Sequence, residues 1–245
     1  MASSLKPSSF RPTPLGSPTR LWCLPLLAGT LPLVATLLAF FIAVSEGQFG
    51  GCNPLLDGCV SISRAARFGL PNYLFRALVL PAAVFQGLTW LLCETWLRSI
   101  GTPATRWLRV LPVLGMGAAA FLILYGTFLG TEGAWYQWVR RFGIVFYFGF
   151  TCILMLIAAD AVRRAARKAP YRRAAAALMT LCMALPLLGL ANALAPLLLS
   201  DAAAVDRFEN VTEWWGGLVF TLFFAVLAKL WHRTGFAADL RSSAT

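Results

Sequence analysis

Six runs of apolar residues, each close to the roughly 20 needed to cross a bilayer core, alternate with short polar stretches along the chain. The first covers about Leu21–Val44, the second Tyr73–Leu97, the third Val110–Leu129, and the fourth Phe142–Ala159, which stops at Asp160. The fifth, Ala174–Ser200, contains Pro186 and Pro196 and is long enough to tilt or kink there; the sixth is Glu213–Trp231. This pattern predicts an all-α, polytopic integral membrane protein built as a bundle of six transmembrane helices. Residues 1–20, rich in Ser and Pro, read as a disordered tail, followed by a transmembrane domain over 21–232 and a second tail over 233–245. The uncharged run from Leu21 to Ser45 exceeds the roughly 7–15 residues of a cleaved signal core, so it reads as an anchor.

Composition agrees with the periodicity. Of the 245 residues 59% are hydrophobic and 13% charged, where a soluble domain averages about 25% charged. The net charge of +11 would suggest nucleic acid as a partner of a soluble chain. In a polytopic chain the placement of the bases sets orientation, and the expected partners are membrane lipids, with no nucleic acid. Most of the 21 Lys and Arg fall on one side: Lys6, Arg11 and Arg20; Arg98, Arg106 and Arg109; the run from Arg163 to Arg173; and Lys229, Arg233 and Arg241. Both termini are therefore expected in the cytoplasm, with the loops near 45–76, 130–141 and 200–213 outside, in a bacterial inner membrane. Tryptophans fit aromatic belts at both faces: Trp22, Trp96, Trp107 and Trp231 inside, Trp135, Trp138, Trp214 and Trp215 outside, with Trp90 alone expected to be buried.

Four of the six cysteines, Cys23, Cys93, Cys152 and Cys182, lie in apolar runs as small hydrophobes. Cys52 and Cys59 share an outer loop on the oxidising side, which predicts a disulfide. The sole histidine, His232, and the lack of any C-x-x-C pair leave no metal-ligand spacing, and no cofactor is expected.

Candidate chemistry collects in two outer stretches. Residues 59–76, CVSISRAARFGLPNYLFR, hold Ser61, Ser63, Arg64, Arg67 and Arg76 between two apolar runs. Ser63 is expected to cap a short interfacial helix. The second stretch, residues 208–217 (FENVTEWWGG), brings Asn210, Glu213 and Trp214 to the mouth of the last helix. Arg76 and Glu213 fall at equal predicted depth, and a desolvated charge without a partner costs several kcal/mol, so the two are expected to pair. That pair would floor a lipid head-group site completed by Ser61 and Ser63. The Asn210-Val211-Thr212 sequon abuts the membrane and is discounted, while Glu94 and Arg98 are spaced to pair along one helix face.

The S-x-S element after the first apolar run, the helix opening Tyr73-Leu74-Phe75-Arg76, and Glu213-Trp214 at the entry to the last helix resemble the Frag/DRAM/Sfk membrane-protein family. That family includes damage-regulated autophagy modulators and post-GPI-attachment remodelling proteins. The resemblance implies a six-helix plan and work on membrane lipids or membrane trafficking. One departure stands out: where eukaryotic members often carry a histidine at the start of the fourth span, this chain reads Arg140-Arg141-Phe142-Gly143. With no outer histidine, histidine-dependent acyl transfer is excluded, and the carboxylates available to Ser61 or Ser63 are poor bases for an alcohol unless burial raises their pKa. The resulting reading is a non-enzymatic protein that binds or organises lipids through an outer polar cap. The alternatives are a lipid-modifying or lipid-anchor-remodelling enzyme and, on the thin evidence of Asn192 between two prolines, a small-solute transporter.

Overall fold

Seven helices are present among the described residues, six of them long and apolar enough to span a membrane. They are α1 (Cys23–Ser45), the four-residue α2 (Ile62–Ala65), α3 (Gly69–Ser99), α4 (Val110–Phe128), α5 (Ala134–Ala165), α6 (Arg172–Leu198) and α7 (Ala202–Arg233). The protein is a six-span, all-α integral membrane protein. The computed structural model describes residues 19–165 and 171–238; the expected tails over 1–18 and 239–245, and the bases Arg167 and Lys168, lie outside the described residues.

Each long helix packs on the next in sequence, and α7 also packs on α1, so the six spans close into a ring in the order α1, α3, α4, α5, α6, α7. Next to the expected tails, Thr19–Arg20 (β1) pairs antiparallel with Ala237–Ala238 (β2), Thr19 opposite Ala238. The first and last described segments therefore meet at one end of the ring, as an even number of spans requires.

Three helices begin earlier than hydropathy predicts, each through local chemistry. α7 starts at Ala202 because the Asp201 carboxylate accepts from the amides of Ala203 and Ala204 at 3.1 and 3.2 Å, a cap that carries the helix out into polar sequence. α3 starts at Gly69: Pro71 sits in the first turn, where its missing N–H has no helical acceptor to lose. α5 gains two turns, from Ala134, that carry the exposed Trp135 and Trp138.

Toward the end of the ring where β1 and β2 pair, α3 and α7 meet through a cluster of aromatic side chains. Trp90, Trp96, Phe223, Phe224 and Trp231 are fully buried there. α4 approaches α3 so closely that a Cβ on Gly115 would lie 2.2 Å from the Cβ of Trp90, which only glycine avoids. The belt expectation is corrected for three tryptophans. Trp96 and Trp231 pack on each other in the core at 5.9 Å, with the Trp96 indole donating to Thr234, and Trp214 is buried at the other end. Trp107, Trp135, Trp138 and Trp215 are exposed as belts require.

Candidate functional site

The outer loop between α1 and α3 is laid against the first turns of α7 and held there by a ladder of hydrogen bonds. Asn210 donates to the carbonyl of Gly58 (2.8 Å), Trp214 to that of Val60 (2.9 Å) and Trp215 to that of Leu55 (3.1 Å). Asn210 and Trp214 are four residues apart and so share one face of α7, which is why both meet the loop. Farther along, the Ser63 amide donates to Glu213 Oε1 at 3.3 Å. The Cys52–Cys59 disulfide closes the same loop, as expected from sequence, with the two Cα atoms 6.6 Å apart.

Ser61, not Ser63, caps α2: its Oγ accepts from the Arg64 amide at 3.1 Å, and the two serine hydroxyls lie 3.3 Å apart. The expected cap is thereby shifted by two residues, since Ser61 has the extended backbone of a cap while the chain is already helical from Ile62. Asn210 is 2% exposed with its amide engaged, so burial closes its sequon.

Ser61, Ser63, Asn210, Glu213 and Trp214 are thus brought together, but Arg76 is not among them. None of the ion pairs among the described residues joins Arg76 to Glu213. In the ring α3 and α7 are each neighbours of α1 rather than of each other, and the side chains that do meet across them, Trp90 and Trp96 with Phe223, Phe224 and Trp231, lie toward the opposite end. Arg76 is half-buried, about 10 Å along α3 from its start, a depth from which a long side chain snorkels to the interface. The arginine that does cross to α7 is Arg64, whose Nη2 and Nη1 reach the two Asp206 oxygens at 2.7 and 3.2 Å. Those hydrogen bonds raise the Arg64 guanidinium above its ordinary pKa against the opposing cost of partial burial, with the charges of Asp206 and Glu213 adding to the rise.

Two further residues fasten the outer end, and a third joins the spans beneath it, without having been marked as site residues. Asn72 donates to the carbonyls of Ala66 (2.9 Å) and Leu129 (3.0 Å), tying the end of α2 to the end of α4. Its place beside Pro71 reads as a turn signal, which hid it. Arg140 donates to the carbonyls of Phe128 and Thr131 and closes the end of α4. Gln86 accepts at Oε1 from the Tyr147 hydroxyl at 3.0 Å inside the ring.

Beneath the cap lies a partly open cavity of about 100 Å³ lined by α1, α2, α3, α4, α5 and α7. Its walls are apolar, among them Leu33, Ile62, Val79, Leu122, Ile144, Phe148 and Leu218; Thr36, Tyr125, Tyr147 and Glu213 bring the polar atoms. Ile62, rather than Ser61 or Ser63, faces it. The space is several times the roughly 10–15 Å³ that one water needs. His232 is far from it, stacked edge-on against Trp22 at the end of the ring where the termini meet. No group of acidic, histidine and cysteine side chains suited to a metal occurs among the described residues. No protein-family model, curated protein or solved structure matches the chain.

Proposed function

We propose that the protein binds a membrane lipid without transforming it, taking an apolar segment of the lipid into the cavity and holding its polar group against Glu213. The observation that carries this reading is the cavity itself, an apolar chamber within a ring of spans with one carboxylate at its edge. The only hydrogen bond to Glu213 among the described residues is a 3.3 Å contact from the Ser63 amide, which leaves acceptor sites free. Those sites suit a head group that donates hydrogen bonds, an amine or a polyol. Proximity to lipid is assured in a membrane-spanning chain, and an apolar pocket with a few convergent polar groups is the usual form of a small-molecule site.

The proposal includes a bacterial inner-membrane location with both termini cytoplasmic, supported by the bias of Lys and Arg toward that face. It also includes kinship with the Frag/DRAM/Sfk family, supported by the motifs at Ser61, Ser63, Tyr73–Arg76 and Glu213-Trp214. Against the enzyme alternative, Ser61 is engaged as a helix cap, and Glu213 accepts from a backbone amide, not from a serine hydroxyl. Against the transporter alternative, five aromatic side chains, Trp90, Trp96, Phe223, Phe224 and Trp231, are fully buried toward one end of the ring.

The test is lipid extraction and mass spectrometry of protein purified in mild detergent. One lipid class should co-purify near equimolar with the wild type, fall in Glu213→Gln and disappear in Leu122→Trp, which fills the cavity. Equal lipid in the wild type and a folded Leu122→Trp variant would refute the reading.

A further inference from the structure

A second cavity, of about 290 Å³, lies at the opposite end of the bundle, between the loop joining α3 to α4, the last turns of α5 and the start of α6. Its floor is apolar, formed by Leu156, Ile157 and Met179; its mouth is polar, with Thr105, the Trp107 indole and Arg164. We infer that this cavity is a binding site for an anionic phospholipid, with the phosphodiester at Arg164 and an acyl chain running outward along α6.

Charge complementarity selects the head group. The one carboxylate in the lining, Asp160, is already bonded to two arginines, Arg163 at 2.6 Å and Arg164 at 2.7 Å. Arg164 uses Nε and one terminal nitrogen on Asp160, so donors of its planar fork remain for a phosphate, which guanidinium matches geometrically. Its side chain is 50% exposed; Arg163, which shares Asp160, and Arg106, which lies over the lining Trp107, are exposed as well. The local balance is strongly positive, which favours an anionic over a zwitterionic head group.

Shape selects a lipid over a soluble anion. Met179, Met183 and Leu187 follow one another at four-residue spacing on α6, the last two 48% and 60% exposed, and continue the apolar floor as a stripe along the membrane-facing side. Trp107, 54% exposed and covered by the Arg106 guanidinium 5.3 Å from its ring centre, marks the interfacial depth at which a glycerol backbone lies. The Thr102 hydroxyl holds the loop to α5 through the Ala161 carbonyl at 3.4 Å, so one wall of the site is built in.

The site and the Glu213 cavity are at opposite ends, and their variants test them separately. Native mass spectrometry of the delipidated full chain, titrated with phosphatidylglycerol or with phosphatidylethanolamine of the same chains, reads the preference directly. Phosphatidylglycerol should be retained more strongly. Arg164→Gln should reduce its retention roughly fivefold, the worth of one basic residue at a membrane surface. Asp160→Asn, which removes the competing carboxylate, should move retention the other way. Equal binding of the two lipids, indifference to both variants, or displacement of phosphatidylglycerol by inorganic phosphate alone would each overturn the assignment.

Discussion

The side-chain amide of Gln86 donates to the carbonyl of Ala28 at 3.0 Å, and Ala28 stands four residues before Pro32 in α1. Proline has no N–H, so the Ala28 oxygen has lost the donor its own helix would supply. Gln86 supplies that donor from α3 and, through its Oε1, accepts from Tyr147 on α5. One amide thus satisfies a helix defect and joins three spans in a region without water, where an unmet carbonyl is costly.

Gln86→Leu should therefore destabilise the protein by about 1 kcal/mol, within the range for interhelical hydrogen bonds in membranes. Pro32→Ala restores the helical N–H, and in that background the same substitution should cost less. A double-mutant cycle by denaturant or thermal unfolding in detergent measures the difference. An equal cost in both backgrounds would mean that Gln86 does not serve the proline defect.

The bond from Asn210 to Gly58 joins residues 152 apart and sets the loop on α7. Gly58 has φ of +60°, and a Cβ there would lie 2.1 Å from the Arg207 carbonyl oxygen. Backbone sign and close approach both demand glycine. Gly58→Ala should cost more than the roughly 1 to 3 kcal/mol expected for Asn210→Ala, which leaves a buried carbonyl without its donor. Combined, the two should cost less than their sum, because either one alone lifts the loop from the helix.

The spans were legible in the sequence because long apolar runs leave no other fold for the backbone in a bilayer. The disulfide was legible because Cys52 and Cys59 share one short loop. Hydropathy reports how deep a residue lies, but not the direction it faces around the helix. That is why Arg76 and Glu213 looked like partners at equal depth, while their helices are not neighbours in the ring and no ion pair among the described residues joins the two side chains. Gln86 was invisible for a related reason: a single amide in an apolar run shows neither the neighbour it faces nor the proline defect it repairs. Asn210 and Trp214 were legible as site residues, but their role in docking a loop requires the tertiary contact with Gly58 and Val60.

The disulfide bears on the cap and not on the ring, since Cys52 and Cys59 both belong to the loop over α7. Closing so short a loop contributes about 2 to 3 kcal/mol in the chain-entropy description. Replacing both cysteines by serine should raise hydrogen exchange in residues 50–63 while leaving the amides of α3 and α4 protected. Loss of protection throughout the ring would show that the cap is required for the bundle.

The charge network at the mouth gives the sharpest test of the arrangement. Arg64 and Asp206 form a two-pronged ion pair, but their side chains are 41% and 48% exposed, so water and ions screen it. A cycle of Arg64→Gln and Asp206→Asn should return a coupling of about 0.5 to 1 kcal/mol, weakening in high salt. The matching cycle of Arg76→Gln and Glu213→Gln should return a coupling near zero, because no ion pair among the described residues joins the two. A coupling of about 3 kcal/mol at Arg76 and Glu213, the scale of a buried pair, would place the two charges in contact. It would also supply Glu213 with a cationic partner and remove the reason for a donor-bearing head group to bind beside it.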